Sequence, residues 1–454
     1  MTEKATERIS PKEKIGYGLG DTASNIVFQS VMMYLAFFYT DIFGISAAAM
    51  GTLFLLVRII DAVTDPVMGA LCDRTNTRWG KFRPYLLWLA IPYAVITALA
   101  FVTPDYSPDG KLIYAYITYS LLMIIYTAIN IPYCALGGVI TSDSQERVSL
   151  NSYRFFLATS AGVLIASAML PLVDYLGDGN QQRGFPLAMG VFGAFAVVLF
   201  VACFFMTKER VTQVAETSTN FWQDLKGLFA NDQWRVVAVL NFVLLMPLVI
   251  RGSTAIYYLK WFMVREDLIP AFLTTGTIAA MIGAGFASSM TKRMSNVKAY
   301  MLIQGIITVL SVGLYFLGST DVALIFGFYI IVQFFGQMAS PILWGMMADT
   351  VDYGEYKTGR RITGLVFSGA LFTLKLGMAL GGAMVGWVLA YYGYQSEATT
   401  QSPITIQGIV LLFTVIPAIG HLLVFGIVSR YKLTRDRCNE IQVELEARKQ
   451  AASA

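Results

Sequence analysis

About twelve apolar runs, each near the roughly 20 residues a helix needs to cross a bilayer, occupy most of this chain. They fall at 17–38, 46–70, 84–103, 111–140, 148–173, 185–206, 235–262, 269–290, 297–317, 322–348, 363–392 and 404–430. Few folds accept such a pattern. In hydrocarbon every backbone N–H and C=O needs an internal partner, which leaves helix bundles and closed barrels. Runs of this length disfavour the short alternating strands of a barrel. Composition agrees, since only 14% of the 454 residues are charged, against about 25% in a soluble protein. An ionised group at the bilayer centre costs roughly 2.5 kcal/mol or more. An all-α, multi-pass membrane protein is expected.

Lys and Arg give the orientation, because basic residues stay on the cytosolic side. With the N-terminus inside, the inner segments hold 25 of the 33 basic residues and the outer loops three: Lys111, Arg183 and Arg265. Both termini are therefore expected in the cytosol. The first 14 residues are polar, with no short apolar segment ahead of a small-residue cleavage site, so the first span is expected to be retained. An inner (cytoplasmic) membrane location follows.

The longest polar interval, 207–234, divides the spans six and six. The expected organisation is a six-helix half at 1–206, a cytosolic loop at 207–234, a second six-helix half at 235–430 and a cytosolic tail at 431–454. Carriers of this kind are often built from parallel repeats. A weak repeat is visible: Pro132 precedes Asp143 by eleven residues, and Pro341 precedes Asp352 by eleven. Both prolines lie inside apolar runs and are expected to kink or unwind their helices.

Charges that remain inside the spans carry most of the functional signal, since such groups mark ion or substrate pathways. The basic ones are Arg58, Arg154, Arg251, Lys260 and Lys375; the clearest acids are Asp61 and Asp65, with Asp21 nearer the cytosolic end. Asp61 and Asp65 are four apart and share a helix face. Two close carboxylates repel, which a bound cation or a shared proton relieves. Arg58, three residues before Asp61, leaves a second reading open: an Arg–Asp lock between helices, with no ion. Lys375 sits too deep in its run to reach the headgroups easily.

Enzyme chemistry finds little support. One histidine, His421, and four scattered cysteines make no metal cluster, and GYGLGD lacks the strand and Gly-Lys-Ser/Thr of a phosphate loop. His421 and the glycines of the first and eleventh spans read as packing residues. The loops are too short for a catalytic or signalling domain. No cofactor and no nucleic-acid partner are expected, and no metal beyond a possible Na⁺.

Several blocks then carry a resemblance: KIGYGLGD at 14–21, FFYTDIFG at 37–44, VRIIDAVTDPVMG at 57–69, TRWGKFRP at 77–84, YTAINIPYCAL at 126–136, NDQWR at 231–235 and ADTVDYGEY at 348–356. In this order they resemble the glycoside–pentoside–hexuronide:cation symporters, a major facilitator branch that includes the melibiose carrier. The resemblance covers almost the whole chain. It implies twelve helices in two halves and symport of a sugar or sugar derivative with H⁺ or Na⁺. It implies a cation site of Asp61, Asp65, Thr64, Thr127 and Asn130. The substrate residues would be Arg154 and Lys375, with Asn25, Asn130, Trp344 and Arg251. The loop DRTNTRWGKFRP would latch one state through Asp73, Arg74, Arg78 and Lys81.

The departures matter. Where the melibiose carrier has a sugar-binding acid on helix one this chain has Asn25, and where it has an acid on helix four this chain has Asn130; a nearby tryptophan becomes Cys134. Two acids lost while Arg154 and Lys375 remain predicts a more positive cavity and an anionic substrate, such as a hexuronide or sulfonated sugar. The alternatives are a neutral pentoside or glucoside held by asparagine amides, or a facilitator or exporter of a related small organic anion. With fewer acids, H⁺ coupling is favoured over Na⁺. Substrate and ion are expected to bind near the midplane during alternating access. A monomer in lipid suffices for such a pathway.

Overall fold

The computed structural model describes residues 9–141, 144–210, 221–359, 362–396 and 398–453. It is all-helical among these residues, with one isolated bridge between Thr77 and Gly80. The chain divides into two compact units: unit 1 is Met1–Ala215 with Gln395–Thr399, and unit 2 is Glu216–Tyr394 with Thr400–Ala454.

Unit 1 contains α1 (Pro11–Ser30), continued by π-helical turns at Val31–Leu35 and Phe38–Ile42, then α2 (Ala47–Arg74), α3 (Arg83–Trp88), α4 (Ala90–Ala100), α5 (Pro108–Ile140), α6 (Ser144–Gly177) and α7 (Gln181–Met206). Unit 2 contains α8 (Phe221–Ala230), α9 (Asp232–Tyr257) with a π-helical turn at Tyr258–Phe262, α10 (Ile269–Arg293), α11 (Asn296–Tyr315), α12 (Val322–Thr358), α13 (Thr363–Tyr391), α14 (Pro403–Phe413), α15 (Val415–Val428) and α16 (Arg435–Ser453). Helix starts are set locally by Ser and Asn caps. Ser46, Ser107, Asn231, Ser295 and Ser402 each accept the N–H three residues on. Each such cap is worth about 1 kcal/mol.

Nine described helices are long and apolar enough to span a bilayer. The other three expected spans coincide with α1, α2 and the α3–α4 pair. The first two are interrupted by charge, Asp21 in α1 and Arg58, Asp61 and Asp65 in α2, and the third breaks at Leu89. The α-helices run on through Pro132 and Pro341 without unwinding.

The two units repeat one internal plan. In unit 1, α1 packs on α6 and α7, α2 on α5, and α4 on α7; in unit 2, α9 packs on α13 and α15, α10 on α12, and α11 on α15. The ends of α1 and α9 match in backbone detail. Phe43 N–H donates to Phe38 C=O and Ile45 N–H to Tyr39 C=O; Met263 N–H donates to Tyr258 C=O and Arg265 N–H to Leu259 C=O. Each motif turns through one left-handed residue, Gly44 at φ 85° and Val264 at φ 54°.

The tail after residue 430 is anchored. Tyr431 donates from its hydroxyl to Met346 C=O at 2.8 Å, and Ile441 and Leu445 of α16 join the core of unit 2.

Candidate functional site

Within unit 1 a connected row of polar side chains crosses α1, α5 and α6. Asp21 of α1 is 6% exposed, and its Oδ2 accepts from Arg154 Nε of α6 at 2.7 Å. Asn25, one turn along α1, donates its amide to Asp21 C=O at 2.9 Å and to Asp21 Oδ1 at 3.2 Å. Arg154 Nη2 donates to Cys134 Sγ at 3.7 Å, and Cys134 Sγ–H reaches Asn130 Oδ1 at 3.9 Å, both residues on α5. The guanidinium also lies 5.2 Å from the centre of the Tyr133 ring, which stacks on Tyr17 at 4.7 Å. Asn25, Asn130 and Arg154, named separately from the sequence, thus belong to one assembly.

Asp21 joins them, and it corrects the charge argument. The acid absent at position 25 has a counterpart one helical turn away. Arg154 therefore carries its own counter-ion, and the excess of positive charge inferred from Asn25 and Asn130 does not arise at this guanidinium. Asp21 is visible in the sequence as an acid inside the first span, one turn from position 25. The pairing itself spans 133 positions and needs the fold.

The second set joins α2 to α5. Arg58 Nη1 and Asp61 Oδ2 are 3.0 Å apart, with Asp61 fully buried and Arg58 7% exposed. Thr127 donates to Asp65 Oδ1 at 3.1 Å. Thr64 donates instead to its own helix, at Asp61 C=O. Thr127 and Asn130 are three apart on α5, so this set and the Arg154 row share a helix face. Removing one partner of a buried ion pair such as Arg58–Asp61 costs about 3–5 kcal/mol. Chemically, unit 1 offers amides and a fixed guanidinium for hydroxyls, and a carboxylate–hydroxyl pair able to take a proton or a small cation.

In unit 2, Lys375 is half-buried in the middle of α13, and Trp344 of α12 is 43% exposed and stacks on Phe367 of α13 at 6.3 Å. Arg251 of α9 is 3% exposed and held by Ser311 of α11 and the Phe413 carbonyl of α14. Arg251 thus turns toward α11 and α14, whereas Trp344 turns toward α13, the helix that carries Lys375.

The basic loop between α2 and α3 is organised by an acid the sequence reading missed. Glu209 accepts backbone N–H bonds from Lys81, Phe82 and Arg83 at 2.8, 2.8 and 2.9 Å. Three N–H groups at a helix start form a ready anion seat. Gly80, at φ 110°, leaves room for that carboxylate. Burial pulls the Arg83 guanidinium below its ordinary value, against the opposing charge of Glu209. Of the expected latch, Arg78 lies over the Trp79 ring at 4.6 Å and Arg74 is exposed at the end of α2, while the Asp73 side chain lies outside the described residues. A neighbouring anchor, Glu13, accepts from both Nη atoms of Arg210 at 2.7 and 2.9 Å and from Lys208 N–H at 3.0 Å.

Known proteins share this sequence pattern over nearly its whole length. Residues 16–435 match the MFS/sugar transport protein family. The inner membrane symporter YicJ of Escherichia coli (strain K12) is 46% identical over 94% of this chain and 92% of its own. The isoprimeverose transporter of Lactiplantibacillus pentosus is 36% identical over 90% of this chain and 86% of its own. Among solved structures, a bacterial homologue of the human lysosomal transporter Spinster superposes with a TM-score of 0.68 at 12% identity, covering 94% of this chain and 99% of that one; that likeness concerns the fold. With a family match along almost its full length and a relative close to half identical, the chain belongs to the MFS/sugar transport protein family, as a multi-pass inner-membrane transporter and not an enzyme.

Proposed function

We propose that the protein is a proton-coupled symporter of an uncharged glycoside, working by alternating access of two six-helix halves with both termini in the cytosol. One observation carries the substrate charge: Asp21 neutralises Arg154 at 2.7 Å and at the same time orients the Asn25 amide. A substrate carboxylate would have to compete with Asp21 for that guanidinium. Sugar hydroxyls need no such exchange, and they suit the Asn25 and Asn130 amides and the free edge of Arg154. A relative that carries isoprimeverose, an uncharged disaccharide, supports the same reading. In unit 2 the proposed substrate residues are Lys375 and Trp344.

The coupling site is Asp61, Asp65 and Thr127, with Thr64 and Asn130 adjoining. Arg58 takes one carboxylate into an ion pair, and the Thr127 hydroxyl donates to the other, Asp65. With one of the two acids committed to Arg58, less negative charge is offered to a sodium ion, and a proton shared at Asp65 is favoured.

Uptake of isoprimeverose against a matched glucuronide, in cells carrying the protein, tests the substrate. Preference for the glucuronide would end the neutral reading. For coupling, an isoprimeverose pulse should alkalinise a weakly buffered suspension, and Asp65→Asn should abolish the signal. Uptake that requires Na⁺ and moves no protons would sink the proton assignment while leaving the substrate assignment intact.

A further inference from the structure

Arg251 lies in the core of unit 2 without a counter-ion. It is 3% exposed, and its partners are two neutral acceptors: Phe413 C=O, which takes Nε–H at 3.3 Å, and the Ser311 hydroxyl, which takes one Nη2–H. A guanidinium has five N–H donors; two have acceptors among the described residues, and no carboxylate among them pairs with it. A buried, uncompensated charge costs several kcal/mol, and cores do not retain one without a compensating group.

The surroundings supply further donors. Gln304 is two turns from Ser311 on α11, so both lie on one face. Gln304 Oε1 accepts from His421 Nδ1 of α15 at 2.7 Å, which leaves buried without a partner the donor Gln304 Nε2 and, as a single acceptor, His421 Nε2. Gly420, beside His421, faces the Pro247 ring so closely that an added Cβ would meet it at 2.9 Å, and Pro247 is one turn before Arg251 on α9. Helices α9, α11 and α14–α15 therefore enclose one polar seam. Gln304, Ser311 and His421 are each no more than 1% exposed. The seam has a fixed positive charge and an excess of N–H donors, which together describe an anion site.

We propose that this seam holds one small monovalent inorganic anion, of the chloride class, as the counter-charge of Arg251. The donors come from three helices, so the ion ties α9 to α11 and α14 and stabilises unit 2. This role differs from substrate binding, which the sequence suggested for Arg251.

The test uses the full-length protein purified in detergent, with melting followed by tryptophan fluorescence. Sodium gluconate is exchanged for sodium chloride at constant sodium. The expected result is a saturable rise in melting temperature of roughly 2 °C, reproduced by bromide. In Arg251→Lys, which keeps one charge but loses the fork, the chloride midpoint should shift up at least about tenfold. Arg251→Gln should lose the response; if that variant does not fold, the wild-type and Arg251→Lys titrations still decide. Identical melting in gluconate and chloride would overturn the proposal. So would a linear, unsaturating rise shared equally by Arg251→Lys, which is a general salt effect. A rise with glucuronate but none with chloride would also overturn it, and would return Arg251 to the substrate site.

Discussion

Asp21→Asn isolates the charge argument, because it removes one charge and almost no volume. Asp21 Oδ2 sits 2.7 Å from Arg154 Nε, which puts the two charge centres about 4 Å apart. At an effective dielectric constant of about 20 a unit pair at that distance gains about 4 kcal/mol. A substrate carboxylate entering the vacated position recovers this interaction but loses its hydration, which offsets about half. The net gain for an anionic over a neutral glycoside is about 2 kcal/mol, or roughly 30-fold in the ratio of dissociation constants. Cys134 offers a readout that does not need turnover. It is exposed and lies 3.7 Å from Arg154 Nη2, whereas Cys72 and Cys203 are buried. Protection of Cys134 from maleimide would be titrated with a methyl glucoside and with the matching glucuronide, in the wild type and in Asp21→Asn. The ratio of midpoints should move about 30-fold toward the glucuronide. A variant that binds both sugars less well but in an unchanged ratio would refute the reasoning, since Asp21 would then serve packing and not charge selection.

Three further outcomes follow from single residues. Val264→Gly should stabilise the protein by about 0.5–1 kcal/mol, because a left-handed Val costs about 1–2 and glycine gives back part of that in the unfolded chain; Val264 is 76% exposed at φ 54°, and a lower melting temperature in the variant would count against it. Glu209→Ala should cost about 2 kcal/mol by leaving three N–H groups without their charged acceptor, read as a lower melting temperature with faster proteolysis near residues 75–83. Burial, reinforced by the Asp349 charge, pushes the Cys438 thiol up to about 12. A raised thiol value leaves almost no thiolate near neutral pH, so mass spectrometry should find native maleimide labelling on Cys134 and little on Cys438 until the protein is denatured.

The membrane class could be read from residue order, because burying a backbone in lipid demands long uninterrupted apolar helices. Local grammar could be read as well. The NDQWR block works as a helix start, with Asn231 Oδ1 accepting Trp234 N–H at 2.9 Å. Asp61 and Asp65 could be placed on one face because helical spacing is a property of the chain itself. The Arg58 alternative was also visible at three residues' separation. The ion pair on Asp61 forms within α2 and not between helices, while it is Asp65 that bonds across to α5 through Thr127.

Other features had no local signature. Glu209 grips the start of α3 from more than a hundred residues away, and a tally of Lys and Arg alone passes over it. Val264 shows no sign of a left-handed backbone until it is set beside Gly44 in the matching turn of the other unit. The tail could be read as charged, but its apolar residues Ile441 and Leu445 find their partners only once α12 is in place.

Residue order by itself determined that this chain crosses a membrane many times, which residues carry charge into the lipid, and which family it resembles; each depends on composition and spacing along one chain. Tertiary structure alone decided which of those charges neutralise one another. Coulomb energy depends on distance in space, and Asp21 meets Arg154 only when α1 packs on α6.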